Sequence, residues 1–298
     1  GLRGTEDAQS CSAEGIDERT GLHRFFEAIA GVLPTVADAN VVPVDRLRAF
    51  EQNILEHTQA INTARLRHNQ PRIDWKYHQY LALLFTELFL DQYFQDAGAL
   101  RDEINARIVE HNAECGVDSP DAVASFSTEA REGDDADPKR QLARLAFWCA
   151  TGSGKTLLMH VHVRQFRQYH QRAFSAGTWP KLDQIILVTP NDGLSAQHAT
   201  EFAQSGFDVV TVGEQGVDGL FAEQAQRSIK ILSIHKFQDD HGKATVATEA
   251  FEGCNLVLVD EAHNIPKQEC YHLFGLAQHL VVVGDAKQDM TPFAEDDI

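Results

Sequence analysis

The sequence predicts an α/β fold, a parallel sheet wound with helices and preceded by a mainly helical segment. Three observations point there. Short β-rich apolar runs recur at Leu145–Cys149, Gln184–Thr189, Ile229–Ile234, Leu256–Val259 and Leu280–Val283, with a weaker one at Val209–Val212. Helical patterns such as Thr156–His170 and Ser195–Gln204 lie between them, the signature of a parallel sheet buried on both faces. Upstream, apolar residues recur at threes and fours. One set is Leu47, Phe50, Ile54 and Ile61; a second is Leu81, Leu84, Phe85, Leu88, Phe89 and Tyr93; a third is Leu100, Ile104, Ile108 and Val109.

Length and charge set the frame for these elements. The chain has 298 residues, 43% of them apolar, which excludes disorder throughout and leaves room for two modest cores. A net charge of −18 argues against coating a polyanion by bulk charge, though not against a local cationic groove. The longest apolar stretch, Leu81 to Leu90, is broken by Thr86 and Glu87 and is too short to span a membrane. Five scattered cysteines (Cys11, Cys115, Cys149, Cys254, Cys270) show no paired spacing, so reduced thiols in a cytoplasmic chain are expected. The order along the chain reads as a loose terminus over 1–20 and a helical N-terminal domain over 21–112. An acidic linker or insertion over 113–140 and an α/β lobe over 141–298 follow.

The first strand of the lobe runs into Ala150-Thr151-Gly152-Ser153-Gly154-Lys155-Thr156, and a helical pattern follows at once. Strand, Gly-rich turn and helix form a phosphate cradle: the glycines let backbone N–H groups wrap the anion at a helix N-terminus. Thr151, Gly152, Ser153, Gly154, Lys155 and Thr156 are therefore the candidate nucleotide-binding residues. Lys155 reaches the β- and γ-phosphates and the Thr156 hydroxyl ligates Mg²⁺. One departure is visible: six positions before the lysine, where the full pattern has glycine, stands Cys149.

A second acidic site closes the strand Leu256–Val259, which ends in Asp260-Glu261-Ala262-His263. An apolar strand delivering Asp260 at its carboxyl end suits a second Mg²⁺ contact. Glu261 beside it can act as the base that deprotonates an attacking water, which favours hydrolysis over transfer to an acceptor.

Together the two motifs resemble the DEAD/DEAH-box helicases of superfamily 2, and most of all the helicase (Res) subunit of type III restriction enzymes. Ile185–Asn191 with Gly193–His198 resembles their motif Ia, and Ile229–Lys236 the motif that follows it. The resemblance implies a RecA-like P-loop ATPase lobe using ATP and Mg²⁺ and acting on nucleic acid, DNA before RNA. It implies ATPase roles for Lys155, Thr156, Asp260 and Glu261, and makes His263 a link between ATP and nucleic-acid sides. Thr189, Pro190, Asn191, Gln197, Ser233, His235 and Lys236 become the candidate nucleic-acid contacts. The ending departs from that family, with Gly284-Asp285-Ala286-Lys287-Gln288 resembling a superfamily 1 motif whose glutamine senses the γ-phosphate. A surface turn would carry the same letters. Such motors use two lobes, so a second RecA-like lobe is expected in a missing C-terminal part or in a partner subunit. The alternative is a single-lobe ATPase acting as a nucleotide-gated switch without translocation.

Smaller signals complete the reading. Basic residues from Arg65 to His78 interleave with Trp75, Tyr77 and Tyr80, which fits either DNA contact or a basic helix face with aromatic core anchors. Gln79 is a candidate adenine reader. His160, His162 and His170 read as helix-surface residues, and Phe147 and Trp148 as core.

Overall fold

The computed structural model describes residues 14–32, 42–116, 119–129, 136–148, 152–211, 227–237, 251–261 and 279–284. Thr151, His263 and Gln288, with Cys11, Cys149 and Cys270, lie outside the described residues.

Every strand that the apolar runs predict is present. β1 (Arg144–Trp148), β2 (Gln184–Thr189), β3 (Val209–Thr211), β4 (Ile229–Ser233), β5 (Asn255–Asp260) and β6 (His279–Gly284) form one sheet in the order β1-β6-β5-β2-β4-β3. All five pairings are parallel. β4 and β5 are buried along their whole length and β2 from its second residue on, which is why aliphatic residues dominate their sequences, although β4 also buries Lys230. The edge strands β1 and β3 are partly exposed, and Phe147 is half-buried where the sequence reading expects core. An edge strand has a neighbour on one side only. Because the strands are parallel, their carboxyl ends share one edge. Thr189, Ser233 and Asp260 close β2, β4 and β5 there.

Backbone packing divides the chain into two compact units. The first comprises Gly1–Phe89, Gly152–Gln168 and Glu201–Phe207. It holds α1 (Arg24–Val32), α2 (Val44–Arg67), the start of α3 (Tyr77–Cys115), the first part of α5 (Lys155–Ser175) and the tail of α6 (Asp192–Gln204). The helical segment and the phosphate-loop helix thus belong to one packing unit. α2 ends where Asn69 takes φ 55° and Gln70 N–H reaches back to the Arg65 carbonyl, a left-handed stop that asparagine tolerates well. Residues 14–20, expected to be loose, form a turn in which Asp17 Oδ1 accepts from the N–H groups of Arg19 and Thr20, and Ile16 bridges to His23.

The core of this unit is aromatic and aliphatic, but buried polar side chains knit it. Glu51 Oε1 accepts from the backbone N–H (2.6 Å) and Nδ1 (2.9 Å) of His23, and Glu51 Oε2 accepts from the Tyr80 hydroxyl at 2.8 Å. Trp75 Nε1 donates to the Thr58 hydroxyl, and the Asn62 amide pairs with both backbone groups of Ile73. Trp75 and Tyr80 are core anchors, and Arg65 is buried with its Nε on the Pro71 carbonyl. The basic-aromatic stretch therefore keeps its basic groups Arg67, Arg72 and Lys76 outside and turns Trp75 and Tyr80 inward.

The histidines of α5 correct the sequence reading. No residue from Lys155 to His170 is exposed, so the helix offers them no solvent face. His160 Nδ1 lies 2.9 Å from Ser205 Oγ and its ring packs on Phe202. His162 Nδ1 lies 3.0 Å from Gln165 Oε1, and Gln165 Nε2 donates to the Leu83 carbonyl. His170, in the second unit, stands edge-on to Phe94, with Cys254 Sγ at 3.9 Å.

The second unit comprises Leu90–Thr151, Tyr169–Thr200 and Asp208–Ile298. Asp96 interrupts α3 with φ −155°, ψ 91°, and its Oδ1 caps the Ala99 N–H, so the two apolar stretches read upstream are two helices joined at this kink. The segment read as a linker is docked in part. Asn105 pairs through its amide with both backbone groups of Phe126, and Asn112 does the same with Val123. α4 (Pro138–Gln141) then begins at Asp137, which caps the Lys139 N–H, and leads into β1. No helix among the described residues is long and apolar enough to cross a membrane.

Candidate functional site

The phosphate loop owes its shape to two glycines. Gly152 and Gly154 have φ of 74° and 83°, conformations that other residues adopt only with strain. A Cβ at Gly154 would stand 2.6 Å from Gln79 Nε2. Gln79 supports the loop from below: its Nε2 donates to the Ser153 carbonyl at 2.6 Å while its Oε1 accepts from the Lys76 N–H at 2.8 Å. Both ends of the amide are engaged by backbone, so Gln79 positions the loop where the sequence reading made it an adenine reader. Lys155 opens α5 and is buried, Thr156 is half-buried, and Ser153 Oγ is buried with no hydrogen-bond partner among the described residues. A hydroxyl left without a partner beside a helix N-terminus fits an incoming phosphate oxygen.

The end of β5 is a separate construction. Asp260 Oδ2 accepts from His198 Nε2 at 2.8 Å, whereas Oδ1 is buried and has no hydrogen-bond partner among the described residues. An orphaned carboxylate oxygen costs about 1–3 kcal/mol or more. A hard divalent cation such as Mg²⁺ takes oxygen donors of this kind, so the residues present fit one. Glu261 follows with φ 51°, a left-handed conformation that turns the chain out of the strand line. Strain of this kind on a non-glycine residue is held by its surroundings and clusters at functional sites.

The candidate nucleic-acid residues divide into two groups. Thr189, Pro190 and Ser233 are buried, and the two hydroxyls are committed within the protein: Thr189 Oγ1 to Ser195 Oγ at 2.7 Å, Ser233 Oγ donating to Asp192 Oδ1 at 2.6 Å. Asn191, Gln197 and His235 are exposed and Lys236 half-buried. Lys236 Nζ lies 3.1 Å from Asp192 Oδ2. The Ser233 hydroxyl first, and then Lys236, hold the Asp192 carboxyl below its ordinary range. Two residues given no role by the sequence thus enter the site: His198, which ends the motif Ia stretch, and Asp192. His198 had a signal: Ser195, His198 and Phe202 recur at helical spacing on the buried stripe of α6, where a histidine needs a partner.

Residues 106–284, more than half of the chain, match the family described as type III restriction enzyme, res subunit. The chain belongs to this family. It is a superfamily 2 helicase lobe of the Res kind. No curated protein matches the chain. Among solved structures it is similar to UvsW of bacteriophage T4, with TM-score 0.36 and 12% identity over 51% of this chain and 29% of that one. A second structure, of the UvsW helicase from the same phage, gives TM-score 0.35 and 13% identity over 48% and 46%. The Res-family chain thus spans less than half the length of either.

Proposed function

We propose that this Res-family chain is the ATP-hydrolysing first lobe of a DNA helicase or translocase, cytoplasmic and dependent on Mg²⁺. The observation that carries the reading is the end of β5, where a buried aspartate keeps one oxygen without a hydrogen-bond partner among the described residues, next to a glutamate held at positive φ. Asp260 at the end of β5 would hold magnesium, which when bound neutralises charge on the transferring phosphoryl group, and Thr156 is the ligand candidate of the phosphate-loop motif. Gly152 to Lys155 bind the phosphates through loop N–H groups and the Lys155 ammonium. Glu261 takes a proton from the attacking water through its carboxylate, as the base of hydrolysis. Asn191, Gln197, His235 and Lys236 supply the accessible contacts to the DNA backbone. Such a small set binds weakly and in a salt-dependent way. A second lobe, in the same polypeptide or in a partner subunit, would complete the DNA track.

The test is ATP turnover by this chain and by Glu261→Gln, each without DNA and with single- or double-stranded DNA. DNA-stimulated hydrolysis that Glu261→Gln abolishes is the expected result. Tight ATP binding without turnover in any condition would instead make the lobe a nucleotide-gated switch. Unchanged ATP affinity in Lys155→Ala would remove the phosphate-loop assignment.

A further inference from the structure

The contact between His198 and Asp260 joins residues 62 positions apart and belongs to no motif role given above. The imidazole is 2% exposed and the carboxylate 7%. An ionised carboxylate can only accept, so His198 Nε2 carries the proton and donates. With Oδ2 held in this way, rotation of the carboxylate is fixed and so is the direction in which Oδ1 points. Ligating carboxylates work best when a second contact fixes them, and losing such a contact weakens metal affinity by about 10–100-fold.

The helix that carries His198 is itself tied down at its start. Ser195 Oγ meets Thr189 Oγ1 at the end of β2, and Asp192 holds Ser233 at the end of β4 and Lys236 just beyond it. β2 pairs directly with β5, and His198 lies one turn further into α6 than Ser195. Asn191, just before this helix, and Gln197, in its second turn, are exposed, while His198 beside Gln197 grips Asp260 inward.

We infer that His198 is a positioning residue for the metal-binding carboxylate. It fixes Asp260 so that Oδ1 is presented to Mg²⁺, and it links that carboxylate to the helix that bears the proposed DNA contacts. It touches neither nucleotide nor metal. The inference rests on Asp260 being the metal ligand.

The experiment titrates Mg²⁺ into the 298-residue chain with a fluorescent ATP analogue (mant-ATP) and reads the Mg²⁺ concentration for half-maximal binding. His198→Ala is expected to raise that concentration by about 10–100-fold. Binding of mant-ATP without Mg²⁺ should stay as in the wild type, which a general loosening of the fold would not spare. An unshifted Mg²⁺ requirement in His198→Ala overturns the inference. Should His198→Ala melt below the assay temperature, His198→Gln and His198→Asn decide. The longer amide can still donate to Asp260 and the shorter one falls short, so a larger shift in His198→Asn supports the inference and equal behaviour overturns it. Asp260→Ala separates the two readings. If it leaves the Mg²⁺ requirement unchanged, both fall; if it shifts the requirement and His198→Ala does not, only the role of His198 falls.

Discussion

The two units of the chain are held together by different kinds of interior. In the sheet unit, β2, β4 and β5 bring Ile185–Val188, Ile229, Ile231, Leu232 and Leu256–Val259 together as an aliphatic centre, with Lys230, Asn255, His198 and Asp260 buried around it. In the phosphate-loop unit, Glu51, Asn62, Gln79, His160, His162 and Gln165 are buried among the aromatics, most of them hydrogen-bonded to groups far away in sequence. An aliphatic core fails gradually as methylenes are removed, because area and volume are lost in proportion. A polar-knit core fails by single contacts, because removing one partner strands the other in a dry place. The loop that must fit phosphate oxygens to within fractions of an ångström is built on the second kind.

Substitutions test this contrast most sharply at Glu51. Glu51→Ala removes the acceptor of three donors at once, those of His23 N, His23 Nδ1 and the Tyr80 hydroxyl. A loss of about 3–5 kcal/mol is expected in urea unfolding, with ATP binding lost alongside. A loss under about 1 kcal/mol would show that the polar interior is not what holds this unit. In the sheet, Leu258→Ala is expected to lose about 2–4 kcal/mol through its cavity, from a side chain with no polar role.

Acid should find the same weakness. Burial pushes His162 down to about 4 from its ordinary 6.5, with the Gln165 hydrogen bond a smaller, opposing influence. The unfolded chain therefore binds more protons than the folded one between pH 6.5 and 4, and stability falls as pH drops through that window. Between pH 7.5 and pH 5 this one group removes about 2 kcal/mol. His162→Gln should flatten that slope in urea melts at the two pH values. At the small end, Ile231→Val in β4 is expected to lose about 0.5–1.5 kcal/mol and leave the pH slope untouched.

The contrast also explains what the sequence reveals. Strands of the central sheet are legible because burial on both faces writes a mostly apolar run, broken in β4 only by Lys230, while an edge misleads at Phe147. The phosphate loop and the Asp260-Glu261 pair are legible because their chemistry is packed into consecutive residues. The histidines of α5 are not legible, because what buries them comes from elsewhere: Ser205 for His160, and Phe94 and Cys254 for His170. The same holds for Gln79 with Ser153 and His198 with Asp260, pairs that only the fold brings together. The docked part of 113–140 was hidden differently. Its polar composition reads as solvated chain, while its anchors are two asparagines on the helix before it.

Those two asparagines set a measure. From Asn105 to Asn112 is seven helical residues, a rise of roughly 10.5 Å. From Phe126 back to Val123 is three extended residues, roughly 10 Å. The two spacings agree to within about half an ångström, so the segment engages the helix like a rack on a gear, running antiparallel to it. Its exposed side chains at 123–125 can vary. Its length between the two anchor points cannot: one residue inserted between 123 and 126, or between 105 and 112, puts the teeth out of step and frees the chain that leads into β1.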